Sequence, residues 1–182
     1  MKRAVASPAI PPSRTPAERA ARLRCVVFDI DGVMTDGKLY LGPDGAEWKA
    51  VNVRDGLGIK LLLQAGVEVA VISGRPSVAM QERLTFLGVQ HVWLDTADKI
   101  AAFESLQQRL DINDTQCGVM GDDVPDLPLM QRAGLAMTVA DAHPTALAAS
   151  HWTSRHAGGN GAIREAADFI CAALKTPPAT QP

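Results

Sequence analysis

Short apolar runs recur along the chain at 25–28, 67–72, 91–94, 117–120, 135–139 and 151–153, and most are followed at once by Gly, Ser or Asp. Their length and β-branched content predict buried strands. Between them, apolar residues fall three and four apart, which predicts helices at 55–64, 76–87, 97–110, 124–131 and 163–174, with a short one opened by 141–144. Asp55 reads as the cap of the first helix and Gly66 as its stop, while Pro76 opens the second and Gly88 ends it. Strands alternating with helices of this length imply crossover connections. The expected fold is α/β, a Rossmann-like doubly wound parallel sheet with helices on both faces. One stretch breaks the alternation. Gly42-Pro-Asp-Gly45 lies between two short β-rich runs, so 38–51 is expected to be a β-hairpin inserted after strand 1. A lone hairpin is marginal in water, so Leu39, Leu41 and Trp48 are expected to pack outside it, for instance on a second chain.

With 182 residues there is room for one compact domain, placed at 21–175, and none for a large cap domain. Residues 1–20 hold Pro8, Pro11, Pro12 and Pro16 without periodicity and read as a disordered basic extension, and 176–182 as a flexible tail. Charge is uneven: residues 1–24 carry a net +5 and the remainder −7. An acidic body does not suit a phosphate-backbone binder, and 4% aromatics leave little for base stacking, so no nucleic-acid partner is expected. No apolar run reaches the length of a membrane span and no signal-peptide region is readable, which predicts a cytoplasmic protein without a membrane partner. Cys25, Cys117 and Cys171 lack C-x-x-C spacing and are read as small hydrophobes or bystanders.

The chemistry is expected at the carboxyl ends of the strands. Asp29 and Asp31 leave the first strand two apart, so both carboxylates can address one point, and a divalent cation is the usual reason to keep both ionised. Ser73 ends the second strand. Lys99 lies in the first turn of a helix, where the helix dipole disfavours a cation, so an anionic partner is expected. Asp122, Asp123 and Asp126 follow the strand at 117–120. Acids, a hydroxyl and a fixed cation at one edge are what phosphoryl transfer needs. His143, His151 and His156 show no ligand spacing and are assigned no role.

Phe28-Asp-Ile-Asp-Gly-Val-Met-Thr-Asp36, Ile72-Ser-Gly-Arg75, Lys99 and Gly121-Asp-Asp-Val-Pro-Asp126 resemble, in order, the four motifs of the haloacid dehalogenase superfamily. Asn52-Val-Arg-Asp-Gly56, Val139-Ala-Asp-Ala-His-Pro144 and Gly158-Gly-Asn-Gly-Ala-Ile-Arg-Glu165 extend the resemblance, over about 24–174, to the capless, tetrameric branch that hydrolyses 3-deoxy-D-manno-octulosonate 8-phosphate in lipopolysaccharide biosynthesis. The resemblance implies Asp29 as nucleophile, Asp31 as proton donor and acceptor, and Ser73 and the Gly74 amide on the phosphoryl oxygens, with Lys99 neutralising them. It implies Mg2+ held by Asp29, the Asp31 backbone carbonyl and Asp122, with Asp123 and Asp126 in support. Asn52, Val53, Arg54, Asp55, Gly56, Lys60, Arg75 and Arg83 would meet the phosphorylated sugar acid, and a homotetramer would close the site from neighbouring chains. The nearest rival substrate is a nine-carbon sugar acid 9-phosphate. A receiver-like signalling domain fits poorly, because the Gly-Asp-Asp-x-x-Asp stretch and the D-x-D spacing are not its pattern. A non-catalytic tetrameric scaffold is disfavoured by the complete motif set.

Overall fold

The computed structural model describes residues 14–43 and 45–175, so the first thirteen residues of the expected extension and the expected tail lie outside it. In chain order the elements begin with helix α1 (Pro16–Ala20), strand β1 (Cys25–Phe28), the hairpin strands β2 (Tyr40–Leu41) and β3 (Glu47–Trp48), and helix α2 (Val53–Gln64). Strand β4 (Glu68–Ile72), α3 (Val78–Leu87), β5 (His91–Trp93) and α4 (Lys99–Leu110) follow. The chain continues through β6 (Cys117–Met120), α5 (Leu127–Arg132), β7 (Leu135–Thr138), α6 (Pro144–Ala149), β8 (Trp152–Thr153) and α7 (Ala162–Lys175).

Six strands form one parallel sheet in the order β5-β4-β1-β6-β7-β8. All four residues of β1, β6 and β7 are buried, as strands covered on both faces must be. Helices α1 and α2 pack on α7 to form one layer, while α5 packs on α4 and α6 to form another. The strand order reverses beside β1: β4 and β5 extend one way, and β6, β7 and β8 the other. The crevice at the carboxyl ends of β1 and β6 is therefore the topological switch point, where an open α/β sheet presents its site.

Boundaries moved where a side chain offered a better cap. Helix α2 is capped by Asn52, whose side chain accepts from Arg54 N–H, and Asp55 falls inside the first turn. Ser77 and Asp98 cap α3 and α4 in the same way, so both helices start two residues later than the pattern predicts. The helix expected at 124–131 divides into a single tight 3-10 turn, Val124–Asp126, and then α5, because Asp123 and Asp126 form a reciprocal capping box. The extension, expected to be disordered through residue 20, gives way at its end to α1. Thr15 and Glu18 cap that helix, Pro16 occupies its first position, and Ala20 is fully buried. The hairpin forms with Tyr40 opposite Trp48. Leu41 and Trp48 remain exposed on it, at 73% and 60%. Among the described residues, no helix is long and apolar enough to cross a membrane.

Candidate active site

Asp29 follows β1 directly, and its amide donates to Met120 carbonyl at 3.1 Å, which holds the end of β1 to β6. The chain then turns over 30–34. Gly32 has φ of +96°, and a side chain there would place its Cβ 2.1 Å from Asp122 Oδ2. Buried Thr35 fastens the turn: its hydroxyl donates to Ile30 carbonyl and accepts from the amides of Gly32 and Gly37. The loop before α7 lies on top. A Cβ on Gly158 would be 1.8 Å from Gly32 carbonyl oxygen, so this approach requires glycine.

Next to β1 in the sheet, β6 ends in Gly121-Asp122-Asp123. Asp126 organises the turn that follows: its Oδ2 accepts from the amides of Asp122 (3.0 Å) and Asp123 (3.4 Å). Its Oδ1 is 2.7 Å from Lys99 Nζ, and the same ammonium is 2.7 Å from Asp29 Oδ1. These are the anionic partners the position of Lys99 required. Burial alone would lower the Lys99 pKa, but Asp29 and Asp126 outweigh it and the net shift is upward. Burial pushes Asp29 up to about 6, with Asp126 adding to the rise and Lys99 opposing it. Asp122 is pushed up to about 7 by burial, then by Asp126, Asp29 and Asp123. Carboxylate oxygens of Asp29, Asp122 and Asp126 lie within 4.8 Å of one another. One ammonium does not neutralise three acids, and the neighbouring carboxylates add to the rise that burial causes. A hard divalent cation with oxygen ligands fits the donor set. The Asp31 carboxylate is not part of this cluster.

Asp31 instead faces Lys49 of the hairpin, whose Nζ lies 2.7 Å from Oδ1 and 2.9 Å from Oδ2. Arg75 Nε is 3.7 Å from Asp31, and its guanidinium donates to Glu47 at 2.7 Å. Glu47 and Lys49 were not among the residues singled out in the sequence. Ser73 is buried at the end of β4, with its amide on Trp93 carbonyl and its own carbonyl accepting from Thr96. Gly74 and Lys99 line a cleft of about 350 Å³ with Thr96, Asp98 and Pro125.

The expected sugar-binding residues fall into three groups. Arg75 stands beside Asp31. Asn52, Val53 and Arg54 line a separate cleft of about 410 Å³ with Asp36, Gly159 and Asn160. Lys60 and Arg83 flank Phe86, 4.8 and 5.5 Å from its ring centre, and Arg83 also packs against Gly56. Asp55, expected at the ligand, is buried, and its two oxygens accept from the amides of Gly161 (3.1 Å) and Arg164 (2.9 Å), which secures the start of α7. Two of the three histidines assigned no role have structural side-chain partners: His143 caps α6, and His151 Nδ1 accepts from Ala136 N–H.

Residues 91–165 match the model of the haloacid dehalogenase-like hydrolases. A 3-deoxy-D-manno-octulosonate 8-phosphate phosphatase from Yersinia pestis is 42% identical over 153 residues, covering 84% of this chain and 82% of that one. The chain belongs to this phosphatase family. The corresponding protein of Escherichia coli K12 is 40% identical over 152 residues, 84% of this chain and 81% of its own. The crystal structure of the Yersinia protein superposes with a TM-score of 0.85 over 87% of this chain and 85% of that one. A family member from Moraxella catarrhalis, solved with a magnesium ion, a phosphate ion and a KDO molecule, is 34% identical and gives a TM-score of 0.85, over 87% of this chain and 91% of that one.

Proposed function

We propose that this chain is a Mg2+-dependent phosphatase that releases phosphate from 3-deoxy-D-manno-octulosonate 8-phosphate, a step of lipopolysaccharide biosynthesis. The observation that carries the reading is Lys99 set between Asp29 and Asp126 with Asp122 beside them, in a chain of this family. Asp29 attacks phosphorus, an aspartyl-phosphate bond forms, and the bond from phosphorus to the sugar oxygen breaks. Asp31 gives that oxygen its proton, then takes one from the water that cleaves the aspartyl-phosphate and frees inorganic phosphate. Ser73 and the Gly74 amide hold the phosphoryl oxygens while Lys99 offsets their charge. Asp29, Asp122 and the Asp31 carbonyl would hold Mg2+, which when bound supplies charge neutralisation and orientation of the phosphoryl group. Arg75, half-exposed beside Asp31, suits a sugar carboxylate.

The assembly belongs to the same proposal. Leu41, Trp48, Val53 and Phe86 are exposed apolar side chains on the hairpin, α2 and α3, and a homotetramer would cover them and bring Lys60 and Arg83 of one chain to another's site. A cytoplasmic location accords with a sugar-phosphate substrate. The test is phosphate release with Mg2+, compared on eight-carbon and nine-carbon sugar acid phosphates. Asp29→Asn is expected to abolish turnover with folding intact. Robust turnover by that variant would remove Asp29 as nucleophile, and a higher kcat/KM on the nine-carbon ester would reassign the substrate.

A further inference from the structure

The hairpin carries opposite chemistry on its two faces. Glu47 and Lys49 are two residues apart and point the same way, toward the site, while Trp48 between them points outward. Lys49 is the informative one. Its side chain is only 4% exposed, and placing an ammonium there is costly unless it is paired. Its partners are Asp31, through both carboxylate oxygens, and Glu47 at 3.6 Å. The aligned hydrogen bond goes to Asp31 Oδ2, and the approach to Oδ1 is a charge contact.

Asp31 needs such a partner. Its backbone sits on the turn that Gly32 makes possible. Among the described residues, the groups that meet its carboxylate are the side chains of Lys49 and Arg75, and no backbone amide donates to it. Asp29, by contrast, is fixed by β1, β6 and Lys99. A carboxyl group left to rotate on a turn would hold its proton in the right direction for only part of the time, and orientation is a large share of what general acid catalysis supplies.

We propose that Lys49 is a positioning residue for the reaction: from the hairpin it fixes the Asp31 carboxyl group in the direction of the leaving sugar oxygen. Lys49 is buried beneath its own hairpin and acts through Asp31, without touching substrate. Glu47 completes the device by holding Lys49 on one side and Arg75 on the other. The hairpin thereby contributes to proton transfer within its own chain, whatever covers its outer face. This inference rests on the phosphatase reading above.

The test compares two esters on each preparation of Lys49→Met, Lys49→Arg and wild type. One is the sugar acid phosphate, whose alkoxide must be protonated as it leaves. The other is p-nitrophenyl phosphate, whose leaving group departs without a proton. kcat/KM covers the steps up to loss of the leaving group, and the ratio between esters does not depend on the fraction of protein folded. Lys49→Met is expected to lower kcat/KM on the sugar ester about 10- to 100-fold while changing the aryl ester less than about threefold, a part of what general acid catalysis is worth. Lys49→Arg is expected to recover most of the loss. Equal losses on both esters, or none on either, would overturn the role of Lys49 and leave the phosphatase reading standing. Absence of wild-type turnover on both esters would overturn both.

Discussion

Asp122→Asn separates what the site costs the fold from what it does for the reaction. The substitution keeps the side chain's shape and removes one charge from a cluster in which burial, Asp126, Asp29 and Asp123 all oppose ionisation of Asp122. Raising a carboxyl group from 3.8 to about 7 corresponds to roughly 4 kcal/mol for a fully buried group. Asp122 keeps part of its contact with water, which reduces this to about 1–2 kcal/mol. Its pKa is higher folded than unfolded, so the native state binds more protons between the two values and stability falls as pH rises from about 4 to about 7. In magnesium-free buffer at pH 8 the variant should therefore melt higher than wild type, by roughly 2–8 °C for a chain of this size. The gain should shrink toward zero at pH 4, where the folded group is protonated and the unfolded one about half so. Adding Mg2+ should reverse the order. Wild type should gain about 2.7 kcal/mol at an ion concentration one hundred times the dissociation constant, while the variant gains little and turns over negligibly. Thermal unfolding at pH 4 and pH 8, with EDTA and with Mg2+, measures all of this. A variant that melts below wild type in EDTA at pH 8 would refute the claim that burial and the neighbouring acids make the Asp122 charge costly in the resting protein.

Gly158→Ala should drive a methyl group into Gly32 carbonyl, destabilise the protein by about 1–3 kcal/mol, and reduce kcat by displacing the turn that carries Asp31. A variant with unchanged melting and unchanged kcat would show that the loop yields. Asp55→Ala should leave the amides of Gly161 and Arg164 without an acceptor, at about 1–3 kcal/mol each, and lower the melting temperature with KM little changed. A large rise in KM without loss of stability would return Asp55 to the ligand.

The central strands were readable because a parallel sheet covered on both faces demands short, continuous apolar runs, and Cys25–Phe28 and Cys117–Met120 are such runs. Helix starts were less readable, because Asn52, Ser77 and Asp98 compete with nearby prolines and acids as caps, and only the turn geometry decides between them. Helix α1 was hidden by its prolines, although the Thr15 and Glu18 pair is a recognisable capping box. Asp29, Asp122 and Lys99 could be placed at one edge because topology brings strand ends together. Lys49 and Asp55 could not. One reaches its partner by folding a hairpin back across a turn, and the other by contact with a helix more than a hundred residues away. In sequence, a charge with a buried partner and a charge in water look the same.

Asp29 and Asp122 leave neighbouring strands that lie on opposite sides of the point where the strand order reverses. An ion that binds both joins the half of the sheet built from β1, β4 and β5 to the half built from β6, β7 and β8. It closes a long loop of chain, a contribution that grows slowly with loop length and that the unfolded protein does not receive. All three cysteines are free, so no disulfide makes such a connection. The ion required for turnover would also serve as a reversible cross-link, and hydrogen exchange should slow across both halves of the sheet when it binds.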